Sequence, residues 1–411
     1  MYFERILTNR LYKLAKSFPV VVISGARQVG KSTLLQNTLG RESEMVVFDP
    51  VIDVQNARRD PELFLNNHPT PLILDEIRYA PEIVACIKRR IDLNRSPGQY
   101  ILTGSQQWGV MKSMAESLAG RAVFLDLYSF CLSEISRTQP TLPWIARWLA
   151  SPEAFLSAPQ SRIASKTTLY EQLWRGFLPE PQFLSTEVIP DFLSAYRRTY
   201  IERDVRLLAE VSDLQLFGRF LQIVSALTAQ EINHSELGRE LGLTPQTSQR
   251  WLNILKATFQ WFEIPAYSGN LIKRVSKKPK GYIADTGLIS STQAISTPKA
   301  IGGHPLWGAT FETAVAAELR KQMAVMSPKP NFYHWRAYSG GEIDILLEYD
   351  GIFYPLEIKA KTNPSRRDTT GISAFRIKYP HLNIAKGGII CPCDSIFQLS
   401  DNDYALPWDI S

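Results

Sequence analysis

The sequence predicts an α/β fold. A mostly parallel sheet with crossover helices comes first, then a helical, winged-helix-like stretch, then a small second α/β unit. Three observations predict it. Short β-branched or aromatic runs at Val20–Ser24, Met45–Asp49, Leu72–Glu76, Tyr100–Ser105 and Ala122–Leu127 are each separated by enough chain for a helix, the pattern of a parallel sheet covered on both faces. From Ile189 to Glu210, Phe192, Tyr196, Tyr200, Val205 and Leu208 fall at helical spacing. After Gly302-Gly303, a helix over 310–325 precedes three strand-like runs and a further helix.

The 411 residues allow about two to four domains. The pattern divides them into 1–135, a connector at 136–185 that opens with Pro140, Pro143, Pro152 and Pro159 around a short helix, a helical region at 186–295 and the second α/β unit at 300–400. With 45% hydrophobic residues, each part can build a core. A net charge of +6 is compatible with a nucleic-acid or membrane-surface partner without requiring one. The four cysteines form no CxxC pair and have no His cluster beside them, so neither a zinc site nor a disulfide framework is expected. The opening residues lack the build of a signal peptide, and no apolar run approaches the ~20 residues that span a bilayer. A soluble cytoplasmic protein with no membrane partner is the expectation.

Gly25-Ala26-Arg27-Gln28-Val29-Gly30-Lys31-Ser32, followed by Thr33, fits GxxxxGK[ST] between the strand Val20–Ser24 and a helix starting near Lys31. The glycines let backbone N–H groups turn toward phosphates at a helix N-terminus that favours anions. Lys31 is placed to reach the β and γ phosphates of ATP, and Ser32 to ligate Mg²⁺. The strand Leu72–Leu74 runs into Asp75 and Glu76, with Asp75 expected on Mg²⁺ and Glu76 on the attacking water. Ser105 at the end of the next strand is a candidate for orienting that water, with Thr103 and Gln106 as rivals. Arg121 has two readings, an arginine finger reaching into a neighbouring subunit or a helix-end cation satisfying terminal carbonyls.

Gly25–Ser32, Leu72–Ile77, Ile101–Ser105 and Ala119-Gly120-Arg121 resemble a prokaryotic branch of the AAA+ ATPases whose C-terminal half is known only as a domain of unknown function. The resemblance continues through Tyr200–Val205, Pro279–Tyr282, Asp285-Thr286-Gly287, Trp335-Arg336, Gly341–Asp344 and Pro355–Lys359. It implies ATP hydrolysis with Mg²⁺ and a homo-oligomeric ring. Arg78 departs from the pattern, which usually has Gln after the acidic pair.

In the middle, Ser235–Leu241 and Thr244–Lys256 read as helix, turn, helix, with Gln246, Gln249, Arg250 and Asn253 on an exposed face. A hairpin over 261–285 carries Lys273, Arg274, Lys277, Lys278 and Lys280. These cations suit a nucleic-acid backbone, DNA rather than RNA; the alternative is a loop that is merely solvated or that binds the protein's own next domain.

Near the end, the Asp350-Gly351 turn pairs Tyr349 with Ile352, which sets Asp344 opposite Glu357 and Glu342 opposite Lys359 on one face. Facing carboxylates repel unless a cation lies between them. Glu312, Asp344 and Glu357 are therefore candidate ligands for Mg²⁺ or Mn²⁺, with Lys359 beside a scissile phosphate. With Glu357-Ile358-Lys359 the set resembles the PD-(D/E)xK nuclease superfamily. The alternatives are a Glu342–Lys359 cross-strand salt bridge and a retained fold that only docks a partner, the C-terminal arm of a nucleotide-driven interaction switch.

Overall fold

The computed structural model describes residues 2–48, 54–105, 116–138, 142–206, 211, 213–234, 236–270, 277–337 and 340–411, the side chains of 202–204 excepted. The chain divides into two compact units. The first is Met1–Phe130 with Leu255–Gln260, and the second is Cys131–Ile254 with Trp261–Ser411.

The first unit alternates helix and strand: α1 (Thr8–Ala15), β1 (Val20–Ser24), α2 (Lys31–Thr38), β2 (Glu44–Val47), α3 (Val54–Arg59), α4 (Pro61–Asn67), β3 (Leu72–Asp75), α5 (Ile83–Leu93), β4 (Tyr100–Gly104) and β5 (Ala122–Asp126). The five strands are parallel in the order β2-β3-β4-β1-β5. All five residues of β1 and of β4 are buried, which explains their unbroken apolar character. The strand expectations hold to within a residue or two; Asp49 lies outside the described residues. Because β4 lies between β1 and β3, the loop after β1, the acidic pair after β3 and the end of β4 converge on one edge.

In the second unit, the connector expected over 136–185 is part of the core. Trp144–Ala150 and Pro152–Ser157 are helices, and Trp144, Ile145, Trp148 and Phe155 join Phe311, Trp408 and Ile410 in one apolar cluster. Pro152 does not break structure here. It occupies the first helical turn behind Ser151, whose hydroxyl accepts the Ala154 N–H at 3.2 Å.

The helical region contains α6 (Ile189–Thr199), α7 (Leu214–Ala226) and α8 (Pro245–Ala257). Thr244 caps α8 through the Thr247 N–H, and Gln246, Gln249, Arg250 and Asn253 are exposed as expected. The helix expected over 235–241 is instead a single 3-10 turn, Arg239–Leu241, closed by Gly242 at φ +67°. Gly238 brackets it on the other side, where a Cβ would meet the Ser248 hydroxyl at 2.0 Å. The hairpin strands are β6 (Trp261–Ile264) and β7 (Lys280–Ile283), which join Gln230–Glu231 in a three-stranded sheet.

The remaining elements are α9 (Trp307–Met323), β8 (Asn331–Arg336), β9 (Glu342–Tyr349), β10 (Ile352–Ile358), α10 (Thr370–Lys378), β11 (Gly387–Cys391), β12 (Phe397–Ser400) and β13 (Asp403–Pro407). They form a mixed sheet in the order β12-β13-β11-β10-β9-β8, with Asn383–Ile384 pairing beside β10. Asp350 at φ +51° and Gly351 at φ +75° make the expected two-residue turn, and the ladder pairs Tyr349 with Ile352 and Ile345 with Leu356. Among the described residues no helix is long and apolar enough to cross a membrane.

Candidate functional site

β1 ends in Gly25, where an added Cβ would stand 2.2 Å from the Leu127 carbonyl oxygen; only glycine lets the loop pass. The loop closes at Gly30, whose φ of +90° starts α2. Arg5 braces it from outside, donating to the carbonyls of Val29 and Tyr128, both at 2.7 Å. Sequence reasoning missed Arg5, because a lone arginine ahead of a first helix belongs to no pattern. Within the loop Ala26 and Val29 are buried, Arg27 is half-buried and Gln28 is exposed; Ser32 and Thr33 face solvent at the start of α2. Lys31 is buried, and its Nζ donates to the carbonyls of Gly25 at 3.0 Å and Ala26 at 2.9 Å. Burial pulls its pKa down to about 8, against the raising effect of Glu76 and Asp75.

Ser32 Oγ donates to Asp75 Oδ2, and Thr103 Oγ1 donates to Asp75 Oδ1. Thr103 also accepts the Glu76 N–H at 3.2 Å. One hydroxyl thus fixes both members of the acidic pair. Glu76 sits in the left-handed region at φ +56°, and its Oε2 meets Arg78 Nε at 3.0 Å. Arg78 in turn stacks over the Tyr79 ring at 4.7 Å. Among the three expected water-orienting residues, Thr103 is committed to the acidic pair and Gln106 lies outside the described residues. Ser105 is buried at the end of β4, and its Oγ has no hydrogen-bond partner among the described residues. The donor set, one cation, two carboxylates and hydroxyls at a helix N-terminus, fits a magnesium nucleotide.

Arg121 stands just before β5. Its guanidinium is held bidentately by Asp92 at 2.6 and 2.9 Å, and Nη1 donates to Ala119 O at 3.0 Å. Asp92 raises its pKa further.

The second unit brings together the expected carboxylates, around a residue expected to do something else. Lys280, read from the sequence as one of the basic hairpin cations, is 3% exposed. Its Nζ lies 2.7 Å from Glu312 Oε1, 2.7 Å from Asp344 Oδ1 and 3.1 Å from Glu342 Oε1. The Tyr282 hydroxyl donates to Glu312 at 2.7 Å. Asp344 and Glu357 are neighbours across the ladder: the Asp344 N–H donates to Glu357 Oε2 at 3.3 Å, and the Ile358 N–H to Asp344 Oδ2 at 2.9 Å. Lys359 pairs with Glu357 at 2.6 Å, and Glu342 pairs with Lys280 instead. An ammonium thus meets two of the three expected metal ligands, Glu312 and Asp344, while the third, Glu357, is paired with Lys359. Among the described residues no group of three His, Cys, Asp or Glu side chains is arranged to hold a metal ion.

The electrostatics agree. Burial works against the charged form of Lys280, but Asp344, Tyr282, Glu312 and Glu342 outweigh it and hold its pKa well above normal. Glu312 is the surplus carboxylate, pushed up to about 8 by burial and then by Asp344. Burial and Asp344 likewise raise Glu357. Of the other hairpin cations, Lys277 and Lys278 are described, while Lys273 and Arg274 lie outside the described residues.

Residues 17–136 match the family described as an AAA domain, residues 166–299 a domain of unknown function (DUF8612), and residues 307–410 another (DUF4143). The chain is similar, at 27% identity over 410 residues, to the uncharacterized proteins Rv2008c of Mycobacterium tuberculosis H37Rv and Mb2031c of Mycobacterium bovis. The alignments cover 99% of this chain and 84% of each relative. Among solved structures, the Walker-type ATPase PABY2304 of Pyrococcus abyssi is similar at 14% identity and a TM-score of 0.41, covering 71% of this chain and 96% of that one. The RuvB Holliday junction branch migration motor of Thermotoga maritima gives 14% identity and 0.29, covering 67% and 96%. The parallel sheet, the loop at 25–32 and the match over 17–136 agree: the front of this chain has the sheet and loop of a P-loop NTPase fold and is similar to the AAA domain family.

Proposed function

We propose that the protein is an ATP-hydrolysing switch: its first unit binds and cleaves MgATP, and its second unit is an effector rather than a metal-dependent nuclease. The observation that carries the first half is the hydrogen-bonded chain Ser32–Asp75–Thr103, which sets Glu76 on the strand end facing Lys31. On nucleotide binding, Lys31 leaves the Gly25 and Ala26 carbonyls for the phosphates, and the loop N–H groups take the remaining oxygens. Ser32 and Asp75 would hold Mg²⁺, which when bound neutralises charge on the transferring phosphoryl group. Glu76 orients water and takes its proton; Ser105 Oγ supplies a second hydrogen bond to that water. Asp75→Asn should keep nucleotide binding but lose Mg²⁺-dependent phosphate release. Equal release rates in wild type and D75N would overturn the reading.

A nucleic-acid partner is favoured by one further feature. A cavity of about 680 Å³ between α6 and α7 is lined by Arg197, Arg198, Arg206 and Arg219. Guanidinium groups clustered this way match backbone phosphates. Replacing Arg206 and Arg219 by Ala should weaken duplex DNA binding similarly for all sequences. The slope of log affinity against log salt should flatten by about 2, roughly one for each phosphate no longer neutralised. Unchanged affinity and slope would remove DNA from this cavity.

A further inference from the structure

We propose that Lys280 is a tethered counter-ion standing where a divalent cation would stand, and that removing it exposes a latent divalent-cation site built from Glu312, Glu342 and Asp344. The resemblance to metal-dependent nucleases implies a metal between these carboxylates, and the residues present do not admit one. An ammonium has three N–H donors. All three of Lys280 are used, on Glu312, Asp344 and Glu342, at 2.7, 2.7 and 3.1 Å. A metal ligated by the Glu312 and Asp344 oxygens would sit at about 2.0–2.4 Å from each. That point lies beside the ammonium, and like charges in a buried site exclude one another.

The origin of the lysine gives the arrangement its meaning. Lys280 lies in the stretch matching one domain of unknown function, and the three carboxylates lie in the stretch matching the other. It is fixed in β7, opposite Ile264 and Glu231 in the three-stranded sheet. Nearby, backbone bonds run between the two stretches: the His334 N–H donates to Pro265 O at 3.0 Å and the Tyr267 N–H to His334 O at 2.6 Å. The β7 hairpin is therefore seated against the C-terminal sheet with its cation inserted among the acids.

The test uses the full-length, nucleotide-free protein and Mn²⁺ as the probe, with free Mn²⁺ counted by electron paramagnetic resonance. Any Mn²⁺ held near Ser32 and Asp75 is common to all variants and is subtracted. Lys280→Ala should gain one Mn²⁺ per chain over wild type, and the double variant K280A/D344N should lose that gain. The melting temperature of K280A should fall in EDTA and recover with Mn²⁺, while that of wild type should not respond. No gain in K280A, or a D344N-sensitive Mn²⁺ already present in wild type, would overturn the proposal. Should K280A fail to fold, the triple variant K280M/E312Q/D344N decides, because it removes the cation together with the repulsion it relieves. Replacing a buried ion cluster by neutral groups of similar shape is often tolerated. A folded triple variant that binds no extra Mn²⁺ supports a counter-ion; one as damaged as K280A would show that Lys280 acts by packing and not by charge.

Discussion

Lys31→Ala should lower ATP affinity by about 10²–10³-fold, the loss expected when one partner of a buried, hydrogen-bonded charge pair is removed. Lys31 is the cation of the loop least accessible to water, and its ammonium rests on two loop carbonyls. Those bonds hold it at the phosphate-binding end of the loop, so little reorganisation opposes binding. Its depressed pKa, about 8, adds a pH signature. A lysine whose folded pKa lies below its unfolded value binds fewer protons when folded. Between about pH 8 and 10.5 this group therefore makes the protein without nucleotide more stable as pH rises. ATP binding has the opposite sign, because the phosphates require the charged form. Wild-type affinity should hold up to about pH 8 and fall roughly tenfold for each unit above it, with proton uptake on binding. Isothermal titration in buffers of different ionisation enthalpy measures both. A pH-independent affinity between 7 and 9.5, or normal binding by K31A, would show that Lys31 does not meet the phosphates.

Much of this first unit was legible in the sequence because its signals are local. A parallel strand buried on both faces is a short apolar run, and the phosphate loop is a contiguous motif whose glycines answer to backbone geometry at Gly25 and Gly30. What stayed hidden there depends on residues far apart in the chain. Arg5 reaches Val29 and Tyr128, and Arg121 finds Asp92, only once the sheet is assembled. The 136–185 segment misled for a related reason. Pro143 and Pro152 look like punctuation, but each stands at the start of a helix whose tryptophans and phenylalanine enter the core.

The C-terminal half divides the same way. The register that brings Asp344 against Glu357 follows from a two-residue turn, and local chemistry sets it. The cation between Glu312 and Asp344 does not follow, because Lys280 comes from another sheet, 64 residues before Asp344 in the chain. Carboxylate repulsion demanded a positive charge between Asp344 and Glu357, whereas the structure sets Lys280 on the Glu312 and Glu342 side of Asp344 and leaves Glu357 to Lys359. It could not say whether the charge would be a metal or a side chain.

Glu76→Gln should bind ATP with wild-type affinity and turn it over about 10²–10³-fold more slowly, the range usual for losing a positioned general base. The carboxylate is held from several sides. Its backbone is in the left-handed region at φ +56°, unusual for a residue with a Cβ. Its N–H is bonded to Thr103, and its Oε2 meets Arg78 at 3.0 Å. Backbone strain of this kind costs about 1–3 kcal/mol and persists where the surroundings over-determine it, which points to a placement that matters. Glutamine keeps the shape and loses the basicity, so binding and catalysis should separate. Arg78→Gln provides the contrast: it leaves the base intact and removes only the guanidinium that aims it, and should cost less than about tenfold in kcat. Single-turnover phosphate release, with nucleotide affinity measured on the same preparations, distinguishes the two. Wild-type turnover by E76Q would move the water-activating role away from the acidic pair. A loss in R78Q as large as that in E76Q would mean that the arginine, not the carboxylate, is the group catalysis depends on.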